Sequence, residues 1–517
     1  MVDTDPLRAA LETATNDLRA GPSVRSPNPT PAFARINDAA RYVATHLHER
    51  EEIEAALPVW KLCAGLWPLL ADALNPSVDN GPVELATALA KLERNMLAGS
   101  VSAQVDALPS EPDIRRLIFN VTTFGRIEDP EFAELQGVLS QLLCNLVSSR
   151  GGAESEALAD GVLDTWLSGR REDDVLIRLL DSGDVRANTG VLRLLINLAT
   201  PARQPRLVKP PALQWLARIL NRLDSWHGDS EALFDLAVTL FATFFRSGHQ
   251  ADLYSALAVS EETVTPSQVT LLKLLDAYLT RPHVNHSPSP SLFVIQAWRD
   301  TAAYAAASMR SGKDDARLPS VLAALVLSTE ILSTVVLAVQ ARADKKEAEG
   351  GEEAMVASVK GRSGPSIIPQ LVDVLAATHA FLPRIKPTPT TAEENAAAAA
   401  GQMSHREIEH AFANVKRDLV RLLAVLAYND TAVGDDVRAA GGVQLVLGLC
   451  ETDERNAYLR EHALFAVRNL MTGNPANQAI IAKMEPLGLV GEDGVLGPLP
   501  DKLKKSDAAA KTAGRGE

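Results

Sequence analysis

Apolar residues recur along this chain at intervals of three and four, and runs of alternating β-branched residues are few. That spacing predicts α-helix almost throughout and very little strand. One phrase comes back at the ends of the apolar helices: "LSQLLCNLVSS" (Leu139–Ser149), "GVLRLLINLAT" (Gly190–Thr200), "DLVRLLAVLAYND" (Asp418–Asp430) and "ALFAVRNLMTGNP" (Ala463–Pro475). Each closes an apolar helix with Asn-Leu or an equivalent pair, followed by small polar residues.

Leu426 and Leu470 hold matching places in two of these phrases, 44 residues apart. Armadillo and HEAT repeats have periods of roughly 40–47 residues. Asn145 and Asn197 are 52 apart, so the N-terminal repeats need an insertion. The stretch "REHALFAVRNLMTGNPANQ" (Arg460–Gln478) shows what such a repeat requires. At 100° per residue Leu459, Ala463, Ala466, Val467 and Leu470 form one stripe, and Leu464, Phe465 and Met471 lie elsewhere on the cylinder. The innermost helix of a solenoid touches its own repeat and both neighbours, so it needs apolar residues on several sides. Leu459, Ala466, Val467 and Leu470 are expected to be buried, with Arg468 facing away beside Glu461. Asn474 suits an N-cap and Pro475 the first position of the next helix. The fold class is all-α: an irregular armadillo/HEAT-like right-handed helical solenoid.

Breaks rich in Pro, Ser and Gly divide the chain. We read 1–20 as an N-terminal helix and 33–382 as degenerate repeats with a charged, flexible insertion near 342–366. A linker at 383–404 precedes a C-terminal block at 405–496, and 497–517 forms a disordered tail.

Composition narrows the function. The 517 residues are 46% hydrophobic, enough for a large core, and the net charge of −14 repels phosphate backbones, so no nucleic acid is expected as partner. Three scattered cysteines without a Cys-x-x-Cys pair fit a reducing, cytoplasmic setting, and the N-terminus lacks the basic start and apolar block of a signal peptide. Val321–Gln340 has the length of a membrane span, about 20 residues. Glu330 near its middle would cost roughly 2.5–3.5 kcal/mol in lipid, so a buried core helix is expected instead.

Several motifs invite a chemical reading and lose it on geometry. Four Leu-x-x-Leu-Leu matches, at 139–143, 176–180, 271–275 and 419–423, lie on stripes committed to the core. His405 and His410 in "HREIEH" are five apart, where zinc proteases need four, and His46 and His48 share no helical face. No phosphate loop, nucleophile elbow or copper-type Met/Cys cluster occurs, so neither cofactor nor metal is expected. Ser287-Pro288, Ser289-Pro290 and Thr388-Pro389 are candidate phosphorylation sites in proline-rich loops.

The candidate binding residues are polar ones on repeat helices. Asn145, Asn197 and Asn469 either bond an extended partner peptide or bond their own helix ends. His410, Asn414, Arg417, Arg421 and Tyr428 fall within one angular sector. With the 44-residue offset, Arg417 and Arg421 correspond to Glu461 and Phe465, and Arg468 comes next along. These residues form either a face for other proteins or an ordinary solvated strip.

Four pieces of the C-terminal block, "KRDLVRLL", "GGVQLVLGLCETDERN", "LREHALFAVRNL" and "NPANQAIIAKM", occur in that order within Phe412–Met484. Together they closely resemble the ataxin-10 domain. Ala424-Val425 stand where that family has Gly-Asn, and Ala457 replaces the proline usual after Asn456. The resemblance implies an armadillo-like protein without enzymatic activity: a scaffold or adaptor linked to cytokinesis and cell survival. Its partners are other proteins, a second copy of the chain among the candidates. A regulator of a GTPase is the alternative on the same scaffold, and an indirect role in copper homeostasis a further one.

Overall fold

The computed structural model describes residues 4–20, 30–77, 82–148, 152–169, 174–281, 292–345, 352–384, 412, 414–453, 456, 458–484, 489–490 and 496–497. The candidate phosphorylation sites, most of the 383–404 linker, His405 and His410 lie outside them. The chain divides into two compact units, Met1–Ala297 with Gly350–Glu352, and Trp298–Glu349 with Glu353–Glu517.

The first unit repeats a three-helix motif. Its third helices, Thr30–Thr45, Val83–Leu97, Pro130–Leu146, Val185–Leu198 and Glu231–Ser247, stack each on the next. Its second helices, Asp5–Ala20, Val59–Ala73, Glu111–Val121, Val175–Asp181, Ala212–Asp229 and Pro266–Leu279, form a parallel stack beside them. Short first helices such as Arg50–Ala56 and Val101–Ala107 link the layers. This is an armadillo-like helical solenoid. In the wide 145–197 interval the first helix is Ala153–Ser168, 16 residues long, where its counterparts Arg50–Ala56 and Val101–Ala107 have seven. The extra length is the insertion that the spacing required.

Local chemistry fixes where these helices start. Asp129, Asp174 and Asp184 each accept a backbone N–H from the first turn of the helix they precede, and Thr265 closes a capping box with Gln268. Indole N–H groups then join helices through acids, Trp67 to buried Glu93 at 2.9 Å, Trp166 to buried Glu111 at 2.7 Å and Trp215 to half-buried Asp174 at 2.6 Å. Glu93 is 1% exposed, and its burial drives its pKa up to about 7 against the opposing hydrogen bonds from Trp67 and Cys63. The Leu-x-x-Leu-Leu leucines at 139–143, 176–180, 271–275 and 419–423 are all core residues.

In the second unit the stacked third helices are Leu318–Lys345, Val415–Ala427 and Leu459–Met471. Leu318–Lys345 is long and apolar enough to cross a membrane, and most of its apolar 18-residue window is buried inside the protein. Trp298 donates to Thr329 in its interior at 2.9 Å. Val415–Ala427 is the best-wrapped helix: every residue but Arg417 and Arg421 is buried. Among the described residues, strand is limited to Leu489–Val490 paired with Leu496–Gly497.

Three expectations need correction. The 342–366 segment is not simply a flexible insertion: it carries the helix Glu353–Val359, with Met355 and Val359 buried. Lys360 and Arg362 then pair with the buried carboxylate of Asp430. Leu459–Met471 is less enclosed than its composition suggested, because Leu464 and Phe465 face solvent and Val467 is half-buried. Leu459, Ala466 and Leu470 are buried as expected. The helix after it begins as read, with Asn474 capping and Pro475 at its first position.

Candidate protein-interaction face

The site is built on the exposed side of the second unit's third-helix stack. Two hydrogen bonds fix the register. Asn469 donates to the carbonyl of Ala424 at 2.9 Å, and Gln340 donates to that of Val425 at 2.8 Å. Arg417 senses Glu330 in one direction, and His462 senses Arg417 and Arg421 in the other. The three helices therefore run parallel, and residues at matching levels lie side by side.

Arg417 is committed to Asp418, which it holds through Nε at 2.8 Å and Nη2 at 3.1 Å. Arg421, one turn on, is half-buried, and among the described residues no carboxylate pairs with it. Its level is flanked by two exposed apolar side chains, Leu337 and Phe465, each about 40% accessible. Glu461 and Arg468 are exposed on the Phe465 side, as is Asn414 at the start of the central helix. Burial, then Arg421 and Arg417, hold His462 below the usual imidazole pKa, so it stays neutral at neutral pH.

The asparagines do something neither sequence reading anticipated. Asn469 is buried and bonded to the preceding third helix, so it is withdrawn from the partner-binding set. Asn145 donates to the carbonyl of Arg94 at 2.8 Å, Asn95 to that of Ala40 at 2.8 Å, and Asn197 reaches Cys144 Sγ at 3.5 Å. Each asparagine ties its helix to the third helix before it. At Val425, 44 residues before Asn469, the tie is reversed: Gln340 on the earlier helix donates forward to the Val425 carbonyl.

Sequence reasoning missed the buried charges of this block. Lys416 Nζ reaches the Leu382 carbonyl at 2.5 Å and Asp453 at 3.3 Å, with side-chain exposures of 0% and 2% for the ion pair. Asn477, fully buried, donates to the carbonyls of Leu470 at 2.9 Å and Gly434 at 3.2 Å and accepts from Arg438 at 2.8 Å. The signal for Lys416 was present: it lies on the stripe of Leu419, Val420 and Leu423. Much of what made "KRDLVRLL", "GLCETDERN" and "NPANQ" distinctive is therefore internal architecture. Among the described residues no group of three His, Cys, Asp or Glu side chains could hold a metal ion.

Stacked helical repeats joined by buried tie-points define an armadillo-like helical-repeat protein. Residues 415–500 match the family model described as the spinocerebellar ataxia type 10 protein domain. Ataxin-10 of Xenopus tropicalis is 33% identical over 126 residues, 24% of this chain and 24% of its own length. The ataxin-10 homolog of Dictyostelium discoideum is 33% identical over 89 residues, 17% of this chain and 15% of its own. Ataxin-10 of Bos taurus is 39% identical over 74 residues, 14% of this chain and 16% of its own. This block carries the similarity to the ataxin-10 family, and it spans about a quarter or less of the relatives' length. Among solved structures, a chain from work on a phosphorylation switch between cadherin and beta-catenin aligns over 91% of this chain and 88% of its own. At 13% identity and a TM-score of 0.30 that superposition is too loose to bear on the fold.

Proposed function

We propose that this protein is a non-catalytic, cytoplasmic scaffold or adaptor, acting through protein partners in cytokinesis and cell survival as its ataxin-10 block implies. The observation that carries the reading is the face at Arg421. A half-buried arginine without a carboxylate partner among the described residues sits between exposed Leu337 and Phe465, on a chain of net charge −14. Large apolar side chains beside an arginine are the composition of interface centres. Affinity capture from dividing cells tests it, comparing the natural chain with an Arg421→Glu/Phe465→Ala variant of matching thermal stability. The adaptor reading expects a set of division-linked proteins on the natural chain that the variant loses. Identical captures from both would overturn it.

A further inference from the structure

The adaptor reading leaves the chemistry of the partner open, and the register of the second unit supplies it. Three side chains at neighbouring levels cross three parallel helices: Leu337, Arg421 and Phe465. The two outer ones are exposed and apolar, and the middle one is cationic. One turn earlier the charges are already matched, since Arg417 is held by Asp418 and senses Glu330. Among the described residues Arg421 is thus the charge at this level left for a ligand, with Glu461 and Arg468 exposed on the neighbouring turns. The asparagines that might have gripped a peptide backbone are used between helices, so recognition here falls to side chains.

Resting on the adaptor reading, we propose that this face binds an extended acidic segment of a partner, crossing the helices with a carboxylate on Arg421 and large apolar residues on Leu337 and Phe465. Packed helices stand about 9 Å apart, the middle of the usual 8–10 Å range. An extended chain rises about 3.3 Å per residue. One helix-to-helix step therefore takes about three residues, and the pattern recognised is an apolar residue, two of any kind, Asp or Glu, two of any kind, and a second apolar residue. Arginine suits the central position because its planar fork bonds a carboxylate through two N–H groups at once.

A random peptide library displayed on phage, selected on the immobilised full chain, tests this. The expected outcome is enrichment of acidic peptides with that apolar spacing. Their synthetic versions should bind at least tenfold more weakly to Arg421→Glu, lose affinity as salt rises, and keep part of their affinity for Arg421→Lys. Equal thermal melts of the variants exclude misfolding as the cause. Enriched peptides that lack the acid, binding indifferent to Arg421→Glu, or no enrichment at all would each overturn the proposal. The capture experiment above separates the two readings: partners lost by the double variant, with no acidic peptide selected, keep the adaptor and remove this ligand.

Discussion

Lys416 and Asp453 form an ion pair closed off from solvent, and the ammonium also bonds the Leu382 carbonyl that follows the helix Ile368–Phe381. Two charges in a dry interior are tolerable only while each has its partners. Replacing Lys416 by Met takes the counter-charge from the buried Asp453 carboxylate, which keeps the Asn456 amide as a donor, and removes the lysine donor from the Leu382 carbonyl. The expected loss is about 3–5 kcal/mol, the usual cost of breaking a buried pair. Urea unfolding of the single variants and of Lys416→Met/Asp453→Leu measures it. The double variant should recover part of the loss, and purely additive losses would mean the two side chains do not interact.

Leu470 is 1% exposed and Arg468 stands on the outer side of the same helix. Leu470→Ala should destabilise by about 2–5 kcal/mol through lost contacts and a residual cavity. Arg468→Ala should stay within about 1 kcal/mol of the natural chain. Thermal melts that reverse this order would turn the helix around and remove the proposed face with it.

Asn469→Ala removes a donor that reaches between two stacked helices. The expected cost is about 1–2 kcal/mol, from the lost bond and the partly unsatisfied carbonyl it leaves. Partners captured through Arg421 and Phe465 should be retained. If Asn469→Ala instead leaves the melt unchanged and abolishes capture, the asparagine serves the partner rather than the stack.

Glu93 gives a pH signature. Its ordinary carboxyl pKa is 4.5 and in the fold it rises to about 7. Below the ordinary value both folded and unfolded chains hold the proton, and its contribution to stability is fully present. Between 4.5 and 7 only the unfolded chain releases it, so stability falls as pH climbs, by about 3 kcal/mol once pH passes 7. Glu93→Gln should flatten that slope and gain on the natural chain at pH 8 but not at pH 4.5. Urea titrations at those two pH values check it, and an equal difference at both would show that this carboxyl does not titrate across the window.

Sequence periodicity was a good guide wherever a residue's neighbours are set by its own helix. The helical class, the 44-residue offset, the cap at Asn474 and the burial of Leu470 all follow from spacings of three and four. The reading failed where a side chain leaves its own helix. Asn145 and Asn469 bond carbonyls some 50 and 45 positions away, and Lys416 meets an aspartate 37 positions on. Helical spacing carries no record of such partners. Phe465 shows the converse error: its apolarity suggested enclosure, but among the described residues no helix covers that side, and it faces water.

The asparagine ties also bear on how such a chain can change over generations. Stacking is secured by bonds on the inner edge of the third helices, through Asn95, Asn145 and Asn469, none of which needs the outer residues. Substitutions at exposed positions away from such ties usually shift stability by no more than about 0.5 kcal/mol. The exposed Leu337 and Phe465 are therefore open to replacement with little disturbance to the stack, and half-buried Arg421 between them takes no part in those ties. A descendant could acquire a different partner by altering three side chains, while the repeats that display them stay fixed.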